Sequence, residues 1–218
     1  DGHRVVVVIR GTELHDIWDL VSAGRVLPRK STYGGWVHRG YEAYAKSIWH
    51  DLPEDVVDTR KQLWFVGHSL GGAAAAHLAL MAGEERADEH YGRPSLLTVG
   101  APPVGTRGFC RAVRRNTASI FRVVNHRDPV PLCVPGYKHP RGLMLHFDRM
   151  GYARINPSLK SRFHDRARGW MKAAWVGLRE WSVVAGVEEI LPFRNHCIAR
   201  YGMLMQMAVE RIRKLSAA

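Results

Sequence analysis

Apolar residues fall in short blocks separated by longer segments in which they recur every three or four positions. The blocks at 5–9, 62–66, 96–99 and 120–124, the last interrupted by Arg122, are largely continuous rather than alternating, as strands buried on both faces are. Between them, 41–58 and the Ala- and Leu-rich 73–87 read as helices, with a shorter one at 107–115. Strands that alternate with helices imply a mostly parallel central sheet with helices on both faces, an α/β fold. Residues 143–147 read as a further strand, with 152–155 returning as a hairpin. The pattern turns helical again over 163–191 and over 196–215.

The chain of 218 residues fits one domain with a substantial core, so 1–218 reads as a single domain. It opens directly on a strand, without an initiator Met or a signal peptide, and so reads as shortened at its N-terminus. No run reaches the 18 or so uncharged apolar residues of a spanning helix, which favours the cytoplasm or a membrane periphery over secretion. Three cysteines at 110, 133 and 197 form no disulfide framework and no metal-ligand spacing, so no metal or cofactor is expected. Lys and Arg number 32 against 20 Asp and Glu, a net charge of +12 that favours polyanions. No nucleic-acid-binding motif accompanies it. Trp170, Trp175 and Trp181 stand among basic residues, a mixture better suited to an anionic membrane or lipid droplet surface.

The chemistry centres on Gly67, His68, Ser69, Leu70 and Gly71, a G-x-S-x-G pattern lying between a strand and a helix. There a serine sits on a strained turn with small neighbours and an exposed hydroxyl, aimed from a helix N-terminus that favours developing negative charge. A serine that merely capped the helix would need none of the flanking glycines. The hydroxyl needs a base, and the base needs a carboxylate. Asp128 follows the strand at 120–124, in a loop at the carboxyl end where such sheets build their sites. His139, His146, His164 and His196 all come after it, and the late position of His196 is preferred. The backbone N–H groups of Leu70 and of Thr12, in the loop after the first strand, are the candidate oxyanion donors.

These motifs resemble the class 3 lipase family from one end of the chain nearly to the other. The matching pieces are V-I-R-G-T at 8–12, V-H-R-G-Y at 37–41, G-H-S-L-G-G-A at 67–73 and T-V-G-A-P-P-V-G at 98–105. R-V-V-N-H-R-D-P-V-P at 122–131 and N-H-C-I-A-R-Y at 195–201 complete the series. The resemblance implies an α/β-hydrolase fold, a Ser69, Asp128 and His196 triad, and an oxyanion hole from Thr12 and Leu70. It departs from the family's usual pattern at Asn195, where an acidic residue is frequent, and at Tyr41, where Phe is usual. The basic, Trp-rich stretch 163–191 has no counterpart in that pattern.

In the family the segment after the R-G-T loop forms a lid. Within 13–22, Leu14, Ile17, Trp18 and Val21 fall on one helical face, as a lid over an apolar cleft requires. The expected activity is therefore serine carboxylic-ester hydrolysis on lipid esters, acylglycerols first, with no cofactor. A phospholipase A1 or a short-chain or aromatic-acid esterase is the alternative on the same triad. A catalytically idle lipid-binding domain is the alternative of another class, and a nucleic-acid partner is not expected.

Overall fold

The structure, a computed structural model, describes residues 3–11, 28–58, 60–87, 92–126, 128–148, 150–158 and 196–216. The expectations for Thr12, for the lid residues Leu14, Ile17, Trp18 and Val21, and for 163–191 fall outside the described residues. The chain forms two compact units, Asp1–Arg122 with Val130–Leu143 and Val123–Pro129 with Met144–Ala218.

In the first unit the chain runs through β1 (Arg4–Ile9), then a hairpin of β2 (Pro28–Lys30) and β3 (Trp36–His38). Helices α1 (Arg39–Asp51) and α2 (Glu54–Val57) lead to β4 (Gln62–His68). Helix α3 (Leu70–Glu85), β5 (Ser95–Val99) and α4 (Arg107–Arg115) follow, and β6 (Ile120–Asn125) begins here. Strand β4 pairs in parallel with β1 on one side and β5 on the other, so Gly67 faces both Ile9 and Thr98. Strand β6 is the next neighbour of β5.

The expected helix over 41–58 is broken in two. Pro53 has no N–H to continue it and disfavours helical backbone in the residue before, and Leu52 is accordingly extended at φ −76°, ψ 125°. The hairpin at 28–38 has no counterpart in the pattern of apolar blocks. Its strands are three residues each, too short to carry a period-two signal, and its turn uses Gly34 and Gly35 at φ 99° and 75°. Strand β1 also differs from the expectation of burial on both faces. Val6 and Val8 are 53% and 73% exposed, whereas Ile9 is buried, so one face of β1, the outermost described strand of its sheet, points outward.

Helix α3 lies against the sheet through alanines. Ala73, Ala74, Ala75, Ala76, Ala79 and Ala82 are all fully buried. Side chains this small let helix and strand backbones approach closely, and Phe65, Leu63, Leu96 and Phe109 fill the spaces around them.

In the second unit the end of β6 is followed in the sheet by β7 (Leu143–Phe147) and then β8 (Ala153–Ile155), an antiparallel pair as the sequence implies. Asp148 organises their turn. Its Oδ1 accepts from the N–H groups of Met150 and Tyr152 at 2.9 and 3.0 Å, and its Oδ2 pairs with Arg154 at 3.0 Å. The last helix, α5 (Ile198–Ser216), turns Tyr201 and Leu204 inward. No helix of the described residues is long and apolar enough to cross a membrane.

Candidate active site

The serine motif adopts the strand–turn–helix form. Strand β4 ends at His68, α3 starts at Leu70, and Ser69 between them holds φ 56°, ψ −130°. A non-glycine residue there costs on the order of 1–3 kcal/mol and persists only where its surroundings enforce it. The enforcement is visible. Ser69 N–H donates to the Val99 carbonyl at 2.9 Å, and the Ser69 carbonyl accepts from Gly72 N–H at 2.9 Å. A Cβ on Gly67 would collide with the Gly71 carbonyl, and one on Gly71 with the Ile9 carbonyl. Gly67 and Gly71 are thus a consequence of how tightly β1, β4 and the start of α3 converge.

Leu70 is the first residue of α3, where an N–H has no carbonyl four residues back to bond. The loop leaving β1 passes close by: a Cβ on Gly11 would lie 2.6 Å from the His68 carbonyl oxygen and 3.1 Å from Ser69 Cβ. Tyr44 on α1 pins this loop, its hydroxyl donating to the Arg10 carbonyl at 2.9 Å. The position of Thr12 itself falls outside the described residues. The serine expected to be exposed is instead fully buried.

Asp128 and His196 meet in the second unit. Both are almost wholly buried, and His196 Nδ1 lies 2.8 Å from Asp128 Oδ2. Asp128 stands three residues beyond β6 in a turn closed by its N–H to the Asn125 carbonyl at 3.0 Å. His196 lies two residues before the start of α5. Of the later histidines left open by the sequence, His139 contacts the Pro131 carbonyl at 2.8 Å, and His164 falls outside the described residues. The histidine on Asp128 is His196.

A third side chain joins this pair: Tyr201, the last residue of the N-H-C-I-A-R-Y piece, for which no contact with Asp128 was expected. The hydroxyl of Tyr201 donates to Asp128 Oδ2 at 2.6 Å and accepts from Asn125 N–H at 3.0 Å. Burial and the neighbouring Asp128 charge push its pKa well above the ordinary tyrosine value, so its proton stays in place. An oxygen that already takes this proton has lone pairs to offer His196, which makes Nδ1 the N–H of the imidazole and Nε2 its basic nitrogen.

A strained serine between a parallel strand and a close-packed helix, beside the exit of a neighbouring strand, has the backbone form of the strand–turn–helix elbow of an α/β-hydrolase fold. The comparisons with known proteins narrow the class. The family model for lipase (class 3) matches residues 6–138, more than half of the 218, and the chain belongs to that family. The match includes Ser69 and Asp128 and ends before His196.

Toxin TseL of Vibrio cholerae is 32% identical over 115 residues, covering 51% of this chain and 16% of its own. The lipase of Rhizomucor miehei is 31% identical over 145 residues, 62% of this chain and 39% of its own. A solved triacylglycerol lipase with a serine protease triad as its catalytic centre is 26% identical, with a TM-score of 0.61 over 72% of this chain and 62% of that one. The match therefore spans less than two thirds of each of these relatives.

Proposed function

We propose that this protein is a serine carboxylic-ester hydrolase acting on lipid esters, acylglycerols first among them, through an acyl-enzyme on Ser69. The observation that carries this reading is the enforced backbone of Ser69 at the head of α3, for which a structural cap has no use. The hydrogen-bonded Asp128 and His196 supply the other two parts that a serine nucleophile requires.

In the proposed mechanism His196 Nε2 takes the Ser69 hydroxyl proton as Oγ attacks the ester carbonyl. Asp128 accepts from Nδ1–H and stabilises the imidazolium. The N–H of Leu70 and that of Thr12 hold the oxyanion. The imidazolium then gives its proton to the departing alcohol. Water, deprotonated by the same nitrogen, attacks the acyl-enzyme and releases the fatty acid with Ser69 restored. The triacylglycerol lipase relative with a serine protease triad supports this assignment by likeness.

The complete burial of Ser69 supports interfacial behaviour, because a bulky ester reaches it only when covering groups move. A phospholipase A1 activity is the second reading, favoured by the net charge of +12, which suits anionic headgroups.

A fluorophosphonate probe tests the core of the reading. The wild type is expected to label, Ser69→Ala not at all, and His196→Ala far more slowly. A wild type that stays unlabelled would remove the mechanism and leave an idle lipid-binding domain. Hydrolysis of a long-chain glyceride should rise sharply as the substrate passes its solubility limit. Smooth saturation through that limit speaks against the interfacial part. Rates on neutral glycerides against anionic phospholipids of matched chain length separate the two substrate classes.

A further inference from the structure

We propose that Tyr201 is a positioning residue that clamps the Asp128 carboxylate toward His196 and ties the head of α5 to the end of β6. The inference rests on the hydrolase reading for its catalytic consequence and on the hydrogen bonds alone for the clamp itself.

The direction of these bonds leaves no freedom. A phenol has one proton. Asn125 N–H can only donate, so at 3.0 Å the Tyr201 oxygen accepts from it. Its own proton then goes to Asp128 Oδ2, at 2.6 Å. The same Oδ2 receives His196 Nδ1 at 2.8 Å, so one oxygen takes two donors fixed from two directions. Rotation of the carboxylate about its Cβ–Cγ bond would break the phenol's hydrogen bond to a charged group among buried side chains.

The second half of the clamp is its place in the chain. Tyr201 comes five residues after His196 and lies in the first turn of α5, its N–H bonded to the Cys197 carbonyl at 3.2 Å. Asn125 is the last residue of β6 and also closes the Asp128 turn through its carbonyl. Holding the ring between these points fixes the rotation of the helix head and so the approach of His196, two residues before it. A tyrosine buried only for packing has no need of a charged acceptor and a strand-end donor at once.

The test is Tyr201→Phe in the full chain, which keeps the ring and removes the hydroxyl. Three readouts are compared with wild type: kcat and KM on a soluble p-nitrophenyl ester, fluorophosphonate labelling, and the downfield proton resonance of His196 Nδ1–H. The expected result is a kcat lower by about 10- to 100-fold at a KM within about twofold. The resonance should move or vanish. An unchanged kcat with an unmoved resonance overturns the proposal, as does a loss confined to KM.

Should Tyr201→Phe fail to fold, 3,5-difluorotyrosine placed at 201 preserves the shape and makes the phenol a stronger donor. It must shift the same resonance, and an unmoved signal again overturns the clamp. An unlabelled wild type would sink the hydrolase reading alone. The resonance would still decide the clamp, a shift supporting it and none removing it.

Discussion

At the scale of single residues, the elbow depends on atoms that are missing as much as on those present. Gly71 has no side chain because the Ile9 carbonyl occupies that space. Gly71→Ala should therefore push the β1 exit and α3 apart, lowering stability by about 1–3 kcal/mol and reducing activity together with it. Urea unfolding and ester hydrolysis on the same preparation check this, and a variant as stable as wild type would contradict the packing described. Asp128→Asn makes the opposite kind of change. It keeps the volume and alters the partner of Nδ1, so a fall of about 10⁴ in kcat is expected, with the melting temperature much less affected. Labelling by the probe should slow in parallel. A variant with nearly full activity would mean that another carboxylate serves His196.

At the scale of elements, the loop after β1 owes its course to α1. The Tyr44 hydroxyl holds the Arg10 carbonyl one residue before Gly11, and Gly11 in turn lies against the elbow. Tyr44→Phe removes one partly exposed hydrogen bond, so global unfolding should shift by no more than about 1 kcal/mol. If the loop carries an oxyanion donor, kcat should nevertheless fall several-fold with KM little changed. Steady-state kinetics beside a thermal melt separates the two effects, and an unaltered kcat would detach this loop from the chemistry.

The elements also mark how far a sequence can be read. Strands with four or more consecutive apolar residues and helices with a long apolar period were legible, because burial imposes those patterns directly. The β2–β3 hairpin was not, since Pro28–Lys30 carries no apolar residue and is exposed throughout. The break before Pro53 was readable from proline chemistry, yet the apolar period continues across it. Ser69 and Asp128 could be named as candidates from a motif and from a position at a strand end. His196 was preferred among several histidines by its late position, and the family resemblance implied the same choice. Tyr201 stood in the N-H-C-I-A-R-Y piece, but its hydroxyl reaches Asp128 across 73 residues of chain, and no local pattern records such a contact.

At the scale of the whole molecule, acid should weaken the fold through a histidine outside the proposed chemistry. His77 lies on α3, is 4% exposed, and packs against Phe109 in a tilted ring contact with centroids 4.5 Å apart. Its Nε2 meets no hydrogen-bond partner among the described residues. Burial first, then the positive charge of Lys46 and the neighbouring His38, lower its pKa to about 3. In the unfolded chain the same ring titrates near its ordinary value of about 6.5. Between those two values the unfolded state binds a proton that the native state refuses. Stability therefore falls as pH falls, by about 1.4 kcal/mol per pH unit, beginning below about 6.5. From pH 6.5 to pH 5 the loss from this one group approaches about 2 kcal/mol. His77→Leu has a similar volume and no titrating nitrogen, so its stability should decline less over the same interval. Urea midpoints for both proteins at pH 7 and pH 5 measure the difference in slope, whatever the substitution does to stability at neutral pH. Equal losses in the two would show that His77 is protonated in the native state as readily as in the unfolded one, and the acid sensitivity would belong elsewhere.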